Sequence, residues 1–487
     1  MKISRMAAVF MGMALLILNL TADAKEAKFK YDEVGYYNSD GLTKVKIYGK
    51  WGFIDKTGRE VVAPVYEEVG EWGFLDDVAT IKRDGKMGYI NADGKEIVVP
   101  RYDLTTDFFG VDLGKVMVED KWGFVDKMGK EVVPLVYDEA QFFRGDFTQA
   151  KKNGKWGFID KTGQEIGGFI YDAIYPWGFE EGLAAVKRDG KWGFLDKVGK
   201  EVVLPKYDAT SQWLFVDGLA AVLRNGRWGF LDNTGQEVIK PVYKDVGDFF
   251  GELAPVKLFD KWKYIDKSGK TVIAAKYDTA GNFHEGRAVV SIGGKYGIID
   301  EAGNAVIATI YEEIGSSGYD LIAVKQNGKW GYVNTSGQVV IPPKYEKINY
   351  LRGDLIPVMA GGKWGYIDAT GREITPLKYE SLSIWGFMEG LAAVKEDGKW
   401  GFIGKDGREV AMPKYDEVGL LWGSDRMAVK RNGKWGYIDP CGQEIIVPQY
   451  DAAQEFSWGN GLAGVARKGS WGYIRPDGAV EPWSMEE

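Results

Sequence analysis

The chain has 487 residues, 45% hydrophobic and 27% charged, with a net charge of −8 at pH 7. A mildly acidic chain without a basic block is not built to follow nucleic-acid phosphates. Cys441 is the only cysteine and His284 the only histidine, which excludes an intramolecular disulfide framework and leaves nucleophile-and-base catalysis without its usual parts.

Lys2 and Arg5 open the chain, Met6 to Leu20 form an apolar run, and Ala22-Asp23-Ala24 places small residues at a cleavage spacing. This is the pattern of a secretory signal peptide, and the run is short for a membrane span. Residues 1–24 are therefore expected to be removed and residues 25–487 exported to the periplasm, the cell surface or the extracellular space. Beyond Ala24 no stretch approaches the roughly 18 apolar residues of a spanning helix, so no stable membrane insertion is expected after cleavage.

The rest of the chain repeats one phrase thirteen times: K-W-G-F-I-D, three residues, a polar residue, E-V-V, Pro and Tyr-Asp. Its Trp falls at positions such as Trp51, Trp122, Trp192, Trp330 and Trp471, with Met87 and Tyr296 in two copies, 34 to 36 residues apart. A period of this length marks a repeat array whose units bury their apolar faces only against one another. Two reversals divide each unit. Asp84-Gly85, Asn153-Gly154 and their equivalents precede the Trp and predict hairpin turns with both central residues at positive φ. Asp55-Lys56-Thr57-Gly58 and its equivalents follow the Trp and predict a type I turn leading into a bulge. The predicted unit is a β-meander with strands such as Leu183 to Lys187, Trp192 to Leu195 and Glu201 to Val203.

A Tyr stands fifteen residues after the Trp position in every copy that has one, whereas the stretch from Tyr to the next Trp runs from 19 to 21 residues. The fixed half predicts a rigid hairpin core and the variable half an edge that takes insertions. Along the central strand, alternation sends Trp51 and Phe53 to one face and Gly52 and Ile54 to the other, so both faces should be covered. Gly52 and its equivalents are expected to admit a bulky residue of the next unit. The chain begins the array with half a unit, Tyr31-Asp32-Glu33, and ends it at Trp471 to Gly478 with no closing Tyr. The predicted fold class is all-β: about thirteen meander units in one curved or superhelical solenoid over residues 25–487, the alternative being two β-propellers of six and seven blades.

K-W-G-[FY]-I-D with a trailing P-x-Y-[DE] resembles the WG-repeat family of bacterial proteins, over essentially the whole chain after residue 24. The resemblance implies an all-β repeat array, often exported, with no shared catalytic motif to carry over. Met87, Tyr296 and Lys263, the last standing where the Gly after Trp262 belongs, depart from the pattern.

No cofactor or metal is expected. The recurring Asp of the post-Trp turn (Asp55, Asp160, Asp232, Asp368) is explained by turn chemistry, and Asn91 and Asn334 replace it where a turn tolerates them. The basic residue before each Trp and the acid after each Tyr are expected to pair with one another between units rather than line a ligand groove. The most suggestive residues are a second set of Trp in the variable stretch: Trp72, Trp177, Trp213, Trp385, Trp422 and Trp458. They are either ligand contacts, stacking on sugar rings or anchoring a protein, or gap fillers in the longer connections. As contacts they should be more exposed than a Trp of the repeat phrase such as Trp192, which is expected to be buried. The expected function is an exported, non-enzymatic binding or scaffold protein for cell-wall or extracellular polysaccharide, peptidoglycan or a protein partner, and not for nucleic acid. The alternative is a carboxylate-dependent glycoside hydrolase.

Overall fold

The computed structural model describes residues 28–36, 41–108, 112–318, 320–349, 355–419, 426–457 and 461–486. The expected signal peptide, residues 1–24, lies outside the described residues. Backbone contacts divide the chain into two compact units, Met1–Gly110 with Lys378–Glu487, and Val111–Leu377.

Among the described residues each repeat forms a small antiparallel sheet, thirteen in all, eleven of four strands and two of three. One sheet of the Val111–Leu377 unit serves for all. Its strands are Ala173–Glu180, Leu183–Arg188, Lys191–Asp196 and Glu201–Tyr207, hydrogen-bonded in chain order. The last three are the predicted meander. The first follows directly on the Tyr of the preceding repeat and was not anticipated, because in most copies it is only two residues long, as at Glu68–Val69.

The predicted turns form as their chemistry requires. Asp84 and Gly85 have φ of 52° and 73°, and Gly58 has φ of 78°. The register puts Lys187 opposite Trp192, Ala185 opposite Phe194, and Trp192 opposite Tyr207; the shift between Phe194 and Leu195 lies beside the turn, where a bulge was expected, and a second shift, between Trp192 and Phe194, was not anticipated. The fixed spacing of Trp and Tyr is thus a cross-strand pair. The glycine between Trp192 and Phe194 has a different reason from the one expected. A Cβ on Gly193 would lie 2.4 Å from the Val203 carbonyl oxygen and 2.7 Å from the Pro205 nitrogen. The close approach is made by the bulged strand of the same repeat, not by a side chain of the next. At Lys263, which stands in place of this glycine, the facing pair is Ala274-Ala275, and the Lys263 ammonium donates to the Thr271 hydroxyl at 2.9 Å.

Both faces of each sheet are buried, as alternation required. In the Val111–Leu377 unit, Leu183, Ala185, Phe194, Val203 and Tyr207 of one sheet pack against Leu214, Ala220, Val222 and Leu231 of the following one. The opposite face of the same sheet, Ala184, Val186 and Leu195, packs against Phe158 and Tyr171 of the preceding one. Trp192 corrects an expectation: it is half-buried at the margin of this core, and the fully covered aromatics are Phe194 and Tyr207.

The two incomplete repeats complete each other within the unit formed by Met1–Gly110 and Lys378–Glu487. Tyr31 pairs antiparallel with Trp471, its amide donating to the Trp471 carbonyl at 3.2 Å and its carbonyl accepting from the Trp471 amide at 2.8 Å. This is the Trp–Tyr pair of every other repeat, made from the two ends of the chain. Phe29 bridges to Met485, and Tyr473 donates its hydroxyl to the Gly35 carbonyl at 3.0 Å. Val45 and Ile54 of the first sheet share a buried cluster with Leu462 and Tyr473 of the last. This pairing overturns the curved or superhelical solenoid, whose ends stay apart. It also removes the two-propeller alternative, in which Tyr31 would close on the sixth or seventh copy. The fold class is a single closed β-propeller, with the thirteen sheets as its blades.

Candidate functional site

The charged residues of the repeat are spent on structure. Lys121 and Lys155 pair with Asp138 and Asp172 at 2.5 and 2.6 Å. The second oxygen of Asp138 accepts the amide of Gly154, in the hairpin turn of the following blade, at 2.9 Å. The acid after Tyr therefore ties one blade to the next. A second tie runs through the Tyr hydroxyl: Tyr207 donates to Glu237 at 2.6 Å, and Arg224 holds the same carboxylate at 2.6 and 3.1 Å. Burial pushes the Glu237 carboxyl up, but hydrogen bonds from Tyr207, Lys206 and Arg224 outweigh it and hold it at about 2.

The recurring Asp is equally occupied. Asp55 accepts from the Thr57 amide and hydroxyl at 2.9 and 2.6 Å and from the Arg59 amide at 3.1 Å. Asn334 accepts the same three bonds, from Ser336 and Gln338, at 3.1, 2.7 and 2.9 Å. A neutral side chain doing the same work identifies the position as a turn. Among the described residues no group of three or more His, Cys, Asp or Glu is arranged to hold a metal ion. Cys441 is exposed in the same turn, its amide bonded to Asp439 at 2.9 Å.

The variable stretch carries a third reversal that the sequence reading missed. Before the second strand of a blade the chain turns tightly on Asp76-Asp77, Asp217-Gly218, Glu285-Gly286 or Glu389-Gly390, all at positive φ. The acid-Gly pairs ahead of Leu-Ala were the available signal. Just ahead of this turn, an aromatic ring is inserted against the ring of the preceding repeat phrase. Phe53 meets Phe74 at 4.6 Å between centroids, Phe230 meets Phe249 at 4.9 Å and Tyr264 meets Phe283 at 4.8 Å.

Gap filling at those junctions therefore falls to Phe. Phe74 and Phe215 are 3% and 9% exposed, while the neighbouring Trp72 and Trp213 are 63% and 51% exposed. Trp177 is 42% exposed, with the Arg144 guanidinium 4.6 Å over its ring. It walls a cavity of about 240 Å³ together with Gln141, Gln149, Phe179 and Lys197. Trp385 is half-buried and walls a cavity of about 450 Å³ with Trp400, Ile384, Met388 and Val418. Trp422 and Trp458 lie outside the described residues. Trp177 and Trp385 thus sit in separate cavities, one in each compact unit.

A eukaryotic initiation factor structure is similar at 12% identity, covering 62% of this chain and 95% of that one, with a TM-score of 0.30. The extracellular domain of a putative one-component system from B. thetaiotaomicron is similar at 9% identity over 93% of this chain and 78% of that one, TM-score 0.19. PorZ, a surface component of the type-IX secretion system of Porphyromonas gingivalis, is similar at 11% identity over 92% and 72%, TM-score 0.21. Likenesses at this level carry no argument about activity. No curated protein matches the chain. The family model described as WG containing repeat matches thirteen consecutive segments, from 27–51 and 51–86 through 400–435 and 435–471. The repeat phrase, its paired turns and its Trp–Tyr register thus place the chain in the WG containing repeat family.

Proposed function

We propose that this is an exported, non-enzymatic binding protein whose variable-edge Trp residues contact polysaccharide of the cell wall or the extracellular matrix. The observation that carries the reading is the division of labour in the variable stretch. Phe74 and Phe215 are buried as packing, and Trp72, Trp213 and Trp177 keep large ring areas in water. Leaving such rings exposed has no packing benefit, whereas a flat ring is a good platform for the apolar face of a sugar. A polymer presents its units repeatedly and would gain from several weak contacts on one molecule. Export rests on the basic start, apolar run and small-residue site of residues 1–24.

The test is co-sedimentation of the pure protein with insoluble peptidoglycan and a panel of polysaccharides, compared with Trp72→Ala, Trp177→Ala and Trp213→Ala. Retention that falls in these variants while their melting temperatures hold supports the proposal. Retention by no glycan, or retention indifferent to all three substitutions, refutes the Trp platform and leaves a protein partner as the reading to pursue. Hydrolysis of any glycan in the panel would overturn the non-enzymatic part.

A further inference from the structure

The cavity beside Trp177, between two neighbouring blades of the Val111–Leu377 unit, is shaped by an irregular strand. Ala173–Glu180 shifts register between Ile174 and Phe179, and Gly178 within the shift has φ of 76°. Phe179 packs against Phe158 and Phe147, at 4.5 and 5.2 Å between centroids. Trp177, two residues earlier, is left on the cavity wall and 42% exposed.

Three polar groups on this wall are not engaged by the fold. The Arg144 guanidinium lies 4.6 Å over the Trp177 ring and makes no ion pair or hydrogen bond among the described residues. The Lys197 ammonium lines the same cavity and likewise has no ion pair among the described residues. Gln149 is 7% exposed and stands opposite Phe158, where Ala185 and Ala221 face Phe194 and Phe230 in the two blades that follow. Its amide donates to the Tyr175 carbonyl at 2.8 Å, which fixes the orientation of the side chain. Its carboxamide oxygen accepts no hydrogen bond among the described residues. The acid on the wall, Asp146, already faces Lys161 at 4.0 Å. The cavity therefore holds surplus positive charge within a chain of net charge −8.

A guanidinium stacked on an aromatic face keeps its N–H donors at the rim, in a fork that matches a carboxylate. An indole beside it suits the C–H face of a sugar ring, and a free amide oxygen suits a hydroxyl. At about 240 Å³ the cavity falls below the roughly 300 Å³ at which sites for drug-sized molecules begin, which limits it to a single sugar unit. We propose that it is a subsite for a carboxylated sugar residue, a uronic acid or an N-acetylmuramic acid unit of a polymer. Arg144 and Lys197 take the carboxylate, Trp177 the apolar face of the ring, and Gln149 a ring hydroxyl. The proposal rests on the reading of Trp177 as a saccharide contact and adds the charge its ligand must carry.

Isothermal titration with two matched pairs tests the assignment: methyl β-D-glucuronide against its methyl ester, and N-acetylmuramic acid against N-acetylglucosamine. At least one acid should bind about tenfold or more tightly than its neutral partner, having one further charge-assisted contact. Which acid does so separates a uronic polymer from peptidoglycan. Arg144→Met, at an exposed position, should fold normally and bring that acid down to the level of its neutral partner. Trp177→Ala should abolish binding of acid and neutral sugar alike. Equal binding of acids and neutral sugars, or undiminished acid binding in folded Arg144→Met, would overturn the charged subsite and leave the Trp platform standing. Binding of neither acid would also overturn it, and retention of Trp72→Ala and Trp213→Ala on insoluble glycans then decides the platform separately.

Discussion

The closure of the chain on itself can be broken at a single side chain. Phe29 is 1% exposed and packs with Ala463, Val465 and Ile474 of the last sheet, where a Cβ on Gly472 would come within 2.4 Å of its ring. Replacing it with alanine removes a ring that has no room to be substituted by rearrangement, and a buried Phe→Ala change costs about 3–5 kcal/mol. Tyr31→Phe is the matched control. The Tyr31 hydroxyl is buried without a hydrogen-bond partner, so its loss should change stability by less than about 1 kcal/mol. The same substitution at Tyr207, the equivalent place in an internal blade, removes the bond to Glu237 and should cost about 1.5–3 kcal/mol. Urea unfolding followed by Trp fluorescence reads the three variants. Hydrogen exchange locates the effect: Ala463–Arg467 and Ser470–Ile474 should lose protection first in Phe29→Ala. An unchanged midpoint with unchanged exchange in those two strands would mean that the N-terminal segment does not hold the last sheet, and the closure argument would fail.

Gly193→Ala should cost about 1–3 kcal/mol in urea unfolding, because its Cβ would meet the Val203 carbonyl at 2.4 Å; a neutral result would refute the close-approach account. Trp192→Ala should cost about 1–3 kcal/mol, below the range for a fully buried ring, since Trp192 is half-buried. Trp177→Ala and Trp213→Ala should stay within about 0.5 kcal/mol of wild type, measured by the same unfolding curves. Stability should also fall in acid. Glu237, Asp55 and Asp368 are each held at about 2, below the roughly 4 of an unfolded carboxylate. Their contribution is complete above about pH 5 and is lost as pH falls toward 2. A urea midpoint that does not move over that interval would contradict the assigned hydrogen bonds.

What the sequence disclosed was what local chemistry decides. Asp84-Gly85 and Gly58 specify their turns within a few residues, and the fifteen-residue interval from Trp192 to Tyr207 was a register pair written in one dimension. Burial of both Phe194 and Leu195 followed from alternation alone. Closure depends on the angle between successive sheets, which no single residue sets, so the solenoid was the wrong extrapolation from a correct repeat. The deciding clue was nevertheless present: a Tyr31 without its Trp and a Trp471 without its Tyr are complementary halves. Phe74, Phe215 and Phe249 went unnoticed because their partners lie one repeat away. That mistake also blurred the site, since the exposure of Trp72 and Trp213 makes sense only once Phe is seen to do the packing.

The bond between Tyr31 and Trp471 has a consequence for the order of assembly. During synthesis Phe29 and Tyr31 emerge among the first residues of the array, yet their partners are made hundreds of residues later. Internal blades can condense on their neighbours as they appear, but the first sheet must carry Val45 and Ile54 uncovered, and Tyr31 its unpaired edge, until the last sheet has been made. Exposed apolar faces and unpaired edges are where nascent chains meet the wrong partner. A ribosome-bound fragment ending before Trp471 should therefore be the most sticky form of this protein, and synthesis of the segment from Trp471 onward should release it from that state.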